Sequence, residues 1–361
     1  MRKGSLMAEQ VCFGIIGCGV IGPTHAKAIS GLPDARLVAV ADVIAEQAQQ
    51  LADRYGATPY ANVQEMLDSE QLDVVNICTP SGLHGDLACQ AMRSGRHVIV
   101  EKPMEISHEA IEQMLRVQQE SGVKMAVISQ HRFDPATRHV YELVQQRALG
   151  RLVLGSAQIP WWRSQKYYDS GAWRGTWALD GGGVLMNQGI HSIDLLQWLM
   201  GPVRTVYAYT DTLAHRMETE DVAVAVLRFA NGGLGTLAGT TGAYPGMGAR
   251  IEVYGDRGSA VVADDHLASL HLWTEDDEVS PYGTTAAQRA QSVVDQADMP
   301  SAARDPAAID IASHAAQIAD MMQAILEDRP PLVDGEAGRR PVEIILGVYE
   351  SARTHQEVTL P

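Results

Sequence analysis

The sequence predicts two folded parts: an α/β domain built on a doubly wound parallel sheet, then an α+β domain with a mostly antiparallel sheet and helices. Over the first ~130 residues, short β-branched runs alternate with longer helical stretches, as βαβ units require. A glycine-rich turn directly follows the first of these runs. After about Gln130 the runs lengthen and are separated by Gly and Asn turns such as Asn231-Gly232-Gly233, which suits antiparallel neighbours. A chain of 361 residues exceeds one ordinary core, so a division into residues 8–130 and 131–361 is expected.

In the first part the strand candidates are Val11–Ile16, Arg36–Ala41, Val74–Ile77, His97–Val100 and Lys124–Ile128. Helical stretches fall between them at His25–Ser30, Ala45–Tyr55, Asn62–Asp68, Gly85–Ser94 and His108–Ser121. The second part opens with a helix near Pro135–Arg147. Strand-like runs follow at Leu152–Ile159, Val203–Thr212, Asp221–Phe229, Leu234–Thr241, Arg250–Tyr254, Ser259–Ala263 and Ser269–Trp273. A strong helix near Gly183–Met200 interrupts them. Glu275–Pro306 is polar and rich in Ala, Ser and Asp, reading as a surface loop, and helices near Ala307–Asp328 and Gly335–Thr354 close the chain.

Composition excludes several classes. No apolar run reaches the ~18–20 residues of a membrane-spanning helix, and MRKGSLMAEQ lacks the apolar centre of a signal peptide. The segment reads as a leader ending at Met7, outside the fold. A net charge of −16 argues against a nucleic-acid surface, which needs a basic footprint. Cys12, Cys18, Cys78 and Cys89 form no CxxC pair and sit in or near apolar runs, as buried free thiols of a cytoplasmic protein do.

The turn Gly17-x-Gly19-x-x-Gly22 follows a strand and opens a helix. Gly17 permits a tight turn, Gly19 lets backbone approach a pyrophosphate, and Gly22 lets helix and strand pack closely. With Val20 and Ile21, these residues place free amides at a helix N-terminus, where negative charge binds. Asp42 stands 20 residues beyond Gly22 at the end of the second strand, placed to accept from a ribose diol and to repel a 2′-phosphate. Val43 offers no cation to hold such a phosphate. The pattern is that of a Rossmann domain for NAD rather than NADP; a helix-capping role is the plain alternative for Asp42.

Ligands bind beyond the carboxyl ends of strands in such sheets. Thr79, Pro80, Ser81 and His84 lie at one such end, Glu101 and Lys102 at the next, and Gln130 past the last, so all are candidate cofactor contacts. Lys102 follows the buried run HVIV. Partial burial disfavours its charged form and makes proton exchange with a hydroxyl feasible near neutral pH. A lysine snorkelling at a sheet edge is the bland alternative.

In GGGVLMNQGIHSIDLLQWLMG, helical spacing puts Asn187, His191, Asp194 and Trp198 on one face. A polar face without Lys or Glu suits a pocket lining better than a solvated surface. Asp194 is placed to orient His191 or to face it across a turn, although a lone His is more often a satisfied core residue. No third ligand stands near these two, so no metal is expected. Upstream, PWWRSQKYYDSGAWRGTW supplies Arg163, Tyr168 and Trp173 for a ring-shaped substrate, with Arg163 or Arg174 available to an acidic group. These aromatics could equally pack the sheet.

Together the segments GCGVIG, TPSGLH, EKP and GGGVLMNQGIHSIDLL resemble the Gfo/Idh/MocA family, named for glucose-fructose oxidoreductase and inositol dehydrogenase, over nearly the whole chain. The resemblance implies an NAD-dependent dehydrogenase in which Lys102 and His191 are the acid/base groups and substrate contacts. It also implies an open-faced second sheet that mediates homodimers or homotetramers. Asn187 stands where many relatives carry Asp, so it is expected to position a hydroxyl rather than carry a proton. TPSGLH, YYD, WRGTW and MNQ-x-x-H look like the UDP-N-acetylglucosaminuronate 3-dehydrogenase branch, which implies oxidation at carbon 3 of a sugar, sugar acid, nucleotide sugar or inositol. Family alternatives are an NAD-dependent glycosidase working through transient oxidation, and a non-catalytic dinucleotide sensor.

Overall fold

The computed structural model describes residues 10–277, 279–280, 283–284 and 311–361. The leader ending at Met7 and most of the loop expected at 275–306 lie outside the described residues. The chain forms two compact units. One holds the chain up to Gln130 and the segment ending at Arg339; the other runs from His131 and takes in Arg340–Pro361.

In the first unit the elements are β1 (Val11–Ile16), α1 (Gly22–Ser30), β2 (Ala35–Ala41), α2 (Ala45–Tyr55), β3 (Thr58–Tyr60) and α3 (Val63–Ser69). They continue with β4 (Val74–Ile77), α4 (His84–Arg93), β5 (His97–Val100), α5 (His108–Ser121) and β6 (Met125–Val127). The six strands pair in parallel in the order β3-β2-β1-β4-β5-β6. β4 is buried at every position, as a strand covered on both faces must be. Helix starts are set by side chains: Asn62 accepts from the amides of Gln64 and Glu65, and Ser107 from that of Ala110. The order reverses between β1 and β4, so a crevice opens beyond their carboxyl ends. β3 was not foreseen; with three residues, one of them Pro59, it tolerates proline because it is an edge strand.

Residues after Ile311 return to this unit, whereas the expected boundary assigned all of 131–361 to the second. The reason is packing. On the helix Ile311–Leu326, Ile318, Met321 and Met322 join the core that holds Phe13, Ile15 and Ile29. The side chain of Gln317 accepts from Ser129 N at 2.9 Å and donates to Val127 O at 2.7 Å. Val127 N donates to Val333 O at 3.0 Å. The outer edge of β6 is thereby covered, which removes an exposed pairing edge.

The second unit contains α6 (Pro135–Gln145), β7 (Leu152–Pro160), α7 (Gln165–Asp169), a π-helical turn (Val184–Gly189) and α8 (Ile190–Met200). Then come β8 (Val203–Asp211), β9 (Val222–Phe229), β10 (Leu234–Thr240), β11 (Arg250–Gly255), β12 (Gly258–Ala263) and β13 (His266–Leu272). The strand order is β13-β12-β11-β7-β10-β9-β8, with Val358–Thr359 beside β8. All pairs are antiparallel except β7 with β10. β9 alternates buried and exposed residues, so one face is packed and one open. α8 lies close on the packed face, where a Cβ on Gly155 would come within 2.6 Å of Met200 Cγ. The open face carries the exposed side chains of Leu154, Tyr209, Val224, Val226 and Leu234.

Candidate active site

The glycine turn is held at both ends. Gly17 N donates to Ala41 O at 2.8 Å, and Gly17 has φ +99°, a conformation that a Cβ disfavours. An added Cβ there would lie 2.5 Å from Cys78 O at the end of β4, and one on Gly22 would overlap the Gly17 carbonyl oxygen. At Gly19, by contrast, no protein atom comes closer than Gln47 Oε1 at 4.0 Å. Val20 is exposed, and no side chain caps the N-terminus of α1. Asp42 Oδ2 accepts from Cys18 N at 2.7 Å and its Oδ1 accepts from Ile44 N at 2.8 Å. The carboxylate thus holds the glycine turn as well as standing at the expected ribose position, with Val43 exposed beside it. An open patch over Gly19, an uncapped helix start and an acceptor at residue 42 fit a dinucleotide.

At the end of β4, Thr79 Oγ1 is buried without a hydrogen-bond partner, while Ser81 is buried and begins a short 3-10 turn. His84 is also buried. Its Nδ1 lies 2.8 Å from Pro103 O and its Nε2 2.9 Å from Thr79 O. Both ring nitrogens are therefore taken up by backbone, and His84 serves to tie the two strand-end loops together. Burial pushes its pKa down despite those carbonyls. Lys102 is half-buried after β5, its amide donates to Glu101 Oε2 at 3.0 Å, and the Lys102–Pro103 peptide is cis.

Glu101 is buried, with Oε1 2.8 Å from His25 Nε2 and 3.7 Å from His314 Nε2. Burial works to raise its pKa, but the two histidines prevail and hold the carboxyl well below the usual range. His25 Nδ1 meets Asn76 Nδ2 at 2.8 Å, completing a buried polar chain across α1, β4 and β5. His25, Asn76 and His314 were missed from sequence. A histidine three residues beyond Gly22, on the apolar side of the first helix, was the available signal.

In the second unit the helix expected at Gly183–Met200 begins as the π-helical turn. Buried Glu220 anchors it: Oε2 accepts from Gly183 N, and Oε1 from Leu185 N and Tyr349 Oη, each at 2.9 Å. Burial pushes Glu220 up to about 7. Asn187 Nδ2 donates to Asp180 Oδ1 at 2.6 Å, and Gln188 Nε2 to Tyr167 Oη at 3.0 Å. His191 is half-buried, its ring set edge-on to His131 with centroids 4.9 Å apart. Burial would lower the His131 pKa, yet Asp265 and Asp134 beside it raise it to about 10, so this ring is an imidazolium.

The expected partnership of Asp194 with His191 is corrected. Asp194 is buried and takes Arg132 Nε at 2.7 Å and Nη2 at 2.5 Å as a two-point ion pair. Trp198 stacks on Tyr141 of α6 with centroids 3.9 Å apart and Arg132 above it. The lower half of the predicted polar face thus packs against α6 and the 130–133 turn instead of lining a pocket. Gln130 itself is buried at the start of that turn.

Among the aromatics, Arg163 is buried, with its guanidinium 5.0 Å from the Trp161 ring centre and 5.5 Å from that of Tyr167; burial lowers its pKa. Arg174 lies 4.5 Å over Trp173 and 4.4 Å over Tyr167, and donates to Tyr167 Oη at 2.7 Å. The Tyr168 hydroxyl is bonded to Thr241 Oγ1 at 2.7 Å and the residue is buried, so it braces β10 rather than presenting its hydroxyl.

Residues 11–129 match the oxidoreductase family with an NAD-binding Rossmann fold, and residues 137–261 match the GFO/IDH/MocA C-terminal domain. The structure is similar to that of the WlbA dehydrogenase from Bordetella pertussis in complex with NADH and UDP-GlcNAcA. The TM-score is 0.83 at 32% identity, covering 98% of this chain and 99% of that one. The corresponding Chromobacterium violaceum complex gives a TM-score of 0.84 at 28% identity, covering 99% and 97%. An inositol 2-dehydrogenase from Rhizobium meliloti (strain 1021) is 29% identical over 276 residues, which is 75% of this chain and 81% of the relative. No helix among the described residues is long and apolar enough to cross a membrane.

Proposed function

This chain belongs to the Gfo/Idh/MocA family of NAD-binding oxidoreductases that act on sugar hydroxyls, and we propose that its substrate is a UDP-linked sugar acid oxidised at carbon 3. The observation that carries the reading is the similarity over 98% of the chain to a dehydrogenase bound to NADH and UDP-GlcNAcA. When bound, NAD supplies the hydride acceptor. The residues around it do the rest. The turn from Gly17 to Gly22 holds the pyrophosphate and Asp42 the ribose, with Thr79, Pro80, Ser81, Glu101 and Gln130 shaping the remainder of the cofactor site.

Lys102 or His191 takes the proton of the reacting hydroxyl, and the Lys102 ammonium stabilises the oxyanion as it forms. Asn187 positions a substrate hydroxyl. Arg163 or Arg174, with Trp173, supplies the cationic and stacking surface that a sugar carboxylate and ring require. The open face of the second sheet, with Tyr209, Val224, Val226 and Leu234, is the surface through which two or four copies associate.

The test is NADH formation across a panel of UDP-sugar acids, inositols, hexoses and glycosides. Turnover of UDP-N-acetylglucosaminuronate well above the others is expected. Preference for a free inositol, or glycoside cleavage without net NADH, would overturn the substrate assignment.

A further inference from the structure

Asp180 is buried, at 2% exposure, in the segment leading to the π-helical turn. Its Oδ2 accepts from Gly175 N at 2.8 Å and its Oδ1 from Asn187 Nδ2 at 2.6 Å. An ionised carboxylate only accepts hydrogen bonds, whereas an amide has one donating and one accepting end. The sense of the Asn187 amide is therefore dictated by chemistry: the NH2 group must face Asp180, and Oδ1 must turn away from it. Asn187 is half-buried and precedes His191 by four residues on the same continuous helical segment.

We propose that Asp180 is a positioning residue for the dehydrogenase reaction, fixing Asn187 so that a carbonyl oxygen, and only an acceptor, is offered to a substrate hydroxyl beside His191. The proposal rests on the functional reading above. It also explains why residue 187 is an amide. A second carboxylate at 187 would lie within hydrogen-bond distance of the first, and two like charges so close share one proton rather than both ionise.

The titratable groups around Asp180 are the Tyr167 and Tyr349 hydroxyls, both pushed up by burial, with Arg174 on Tyr167 and Glu220 on Tyr349. Glu220 titrates in wild type and variants alike, so a comparison with wild type isolates any new ionisation.

The variant Asn187→Asp gives the sharpest test. With one proton shared, a protonated carboxyl at 187 donates to Asp180 and keeps its C=O as an acceptor, imitating asparagine. Activity near that of wild type is then expected at acidic pH, falling by ~10-fold or more on an added alkaline limb as the shared proton leaves. Asp180→Asn leaves the amide at 187 free to take either sense and should lower kcat/KM by ~10–100-fold, the value of about one to two oriented hydrogen bonds.

The double variant Asp180→Asn with Asn187→Asp restores a carboxylate–amide pair with the roles reversed. It should lose the added limb while remaining impaired. Thermal stability against pH supplies a readout independent of turnover: N187D should lose stability relative to wild type as the shared proton leaves, and the double variant should not. An N187D pH profile parallel to wild type in both activity and stability would overturn the proposal. Absence of turnover by wild type itself would count against the functional reading and leave the stability comparison to judge the pair.

Discussion

Replacing Gly17 with alanine should open the turn that receives the cofactor without unfolding the protein. At φ +99° a residue with a Cβ is strained by ~1–2 kcal/mol. The new methyl would also lie 2.5 Å from Cys78 O, 2.6 Å from Cys78 C and 2.9 Å from Thr79 N. These are backbone atoms at the end of a central strand and cannot yield as a side chain would, which adds ~1–3 kcal/mol of overpacking. Relief comes most easily by displacing the turn, and its amides move with it. If only ~2 kcal/mol of this appears as lost cofactor binding, the Kd for NAD rises ~30-fold.

Titration calorimetry with NAD, paired with thermal melts, reads both parts. Gly19→Ala is the contrast: with no protein atom nearer than 4.0 Å, it should melt like wild type yet bind NAD poorly, because its methyl points where the ligand must come. Wild-type NAD affinity in G17A, or unimpaired binding in G19A, would refute the cradle.

Three further outcomes are expected. Lys102→Met should lower turnover by ~100-fold or more with NAD affinity retained, measured by steady-state kinetics and cofactor titration; unchanged turnover would remove Lys102 from the reaction. Arg132→Met strands the buried Asp194 carboxylate and should cost ~3–5 kcal/mol in urea unfolding, against little change if the pair were merely ornamental. Glu220, ordinarily at 4.5, is pushed up to about 7, so between these values the native state holds a proton that the unfolded state has released. Stability should therefore fall as pH rises through that window, by up to about 3 kcal/mol, and then level off. Glu220→Gln should flatten that slope, and a slope that survives the substitution would assign it to another group.

The parallel sheet was legible because β-branched runs, glycine turns and a fixed strand–helix alternation are local signals. β3 and Val358–Thr359 were not, since two or three residues carry no period, and they pair only because a sheet edge lies beside them. The placement of Ile311–Leu326 was hidden for a related reason: an apolar helix face shows that it will be buried, not against which core. Within the site, the glycine turn, Asp42 and Lys102 follow from strand ends and spacing.

The partners of Asp194 and Glu101 did not follow, because Arg132 and His25 are 62 and 76 residues away in sequence. The π-helical turn also escaped, since the Glu220 side chain that bonds the amides of Gly183 and Leu185 lies over thirty residues later in the chain. His84 shows the opposite error. A histidine at a strand end looks like a ligand contact until two carbonyls are found against its nitrogens.

The central claim, that a hydride passes from a sugar carbinol carbon to NAD on this protein, is tested most directly by isotope transfer. With UDP-N-acetylglucosaminuronate deuterated at carbon 3, the NADH formed should carry the deuterium, as mass spectrometry would read. Unlabelled NADH, or deuterium appearing only in water, would contradict it.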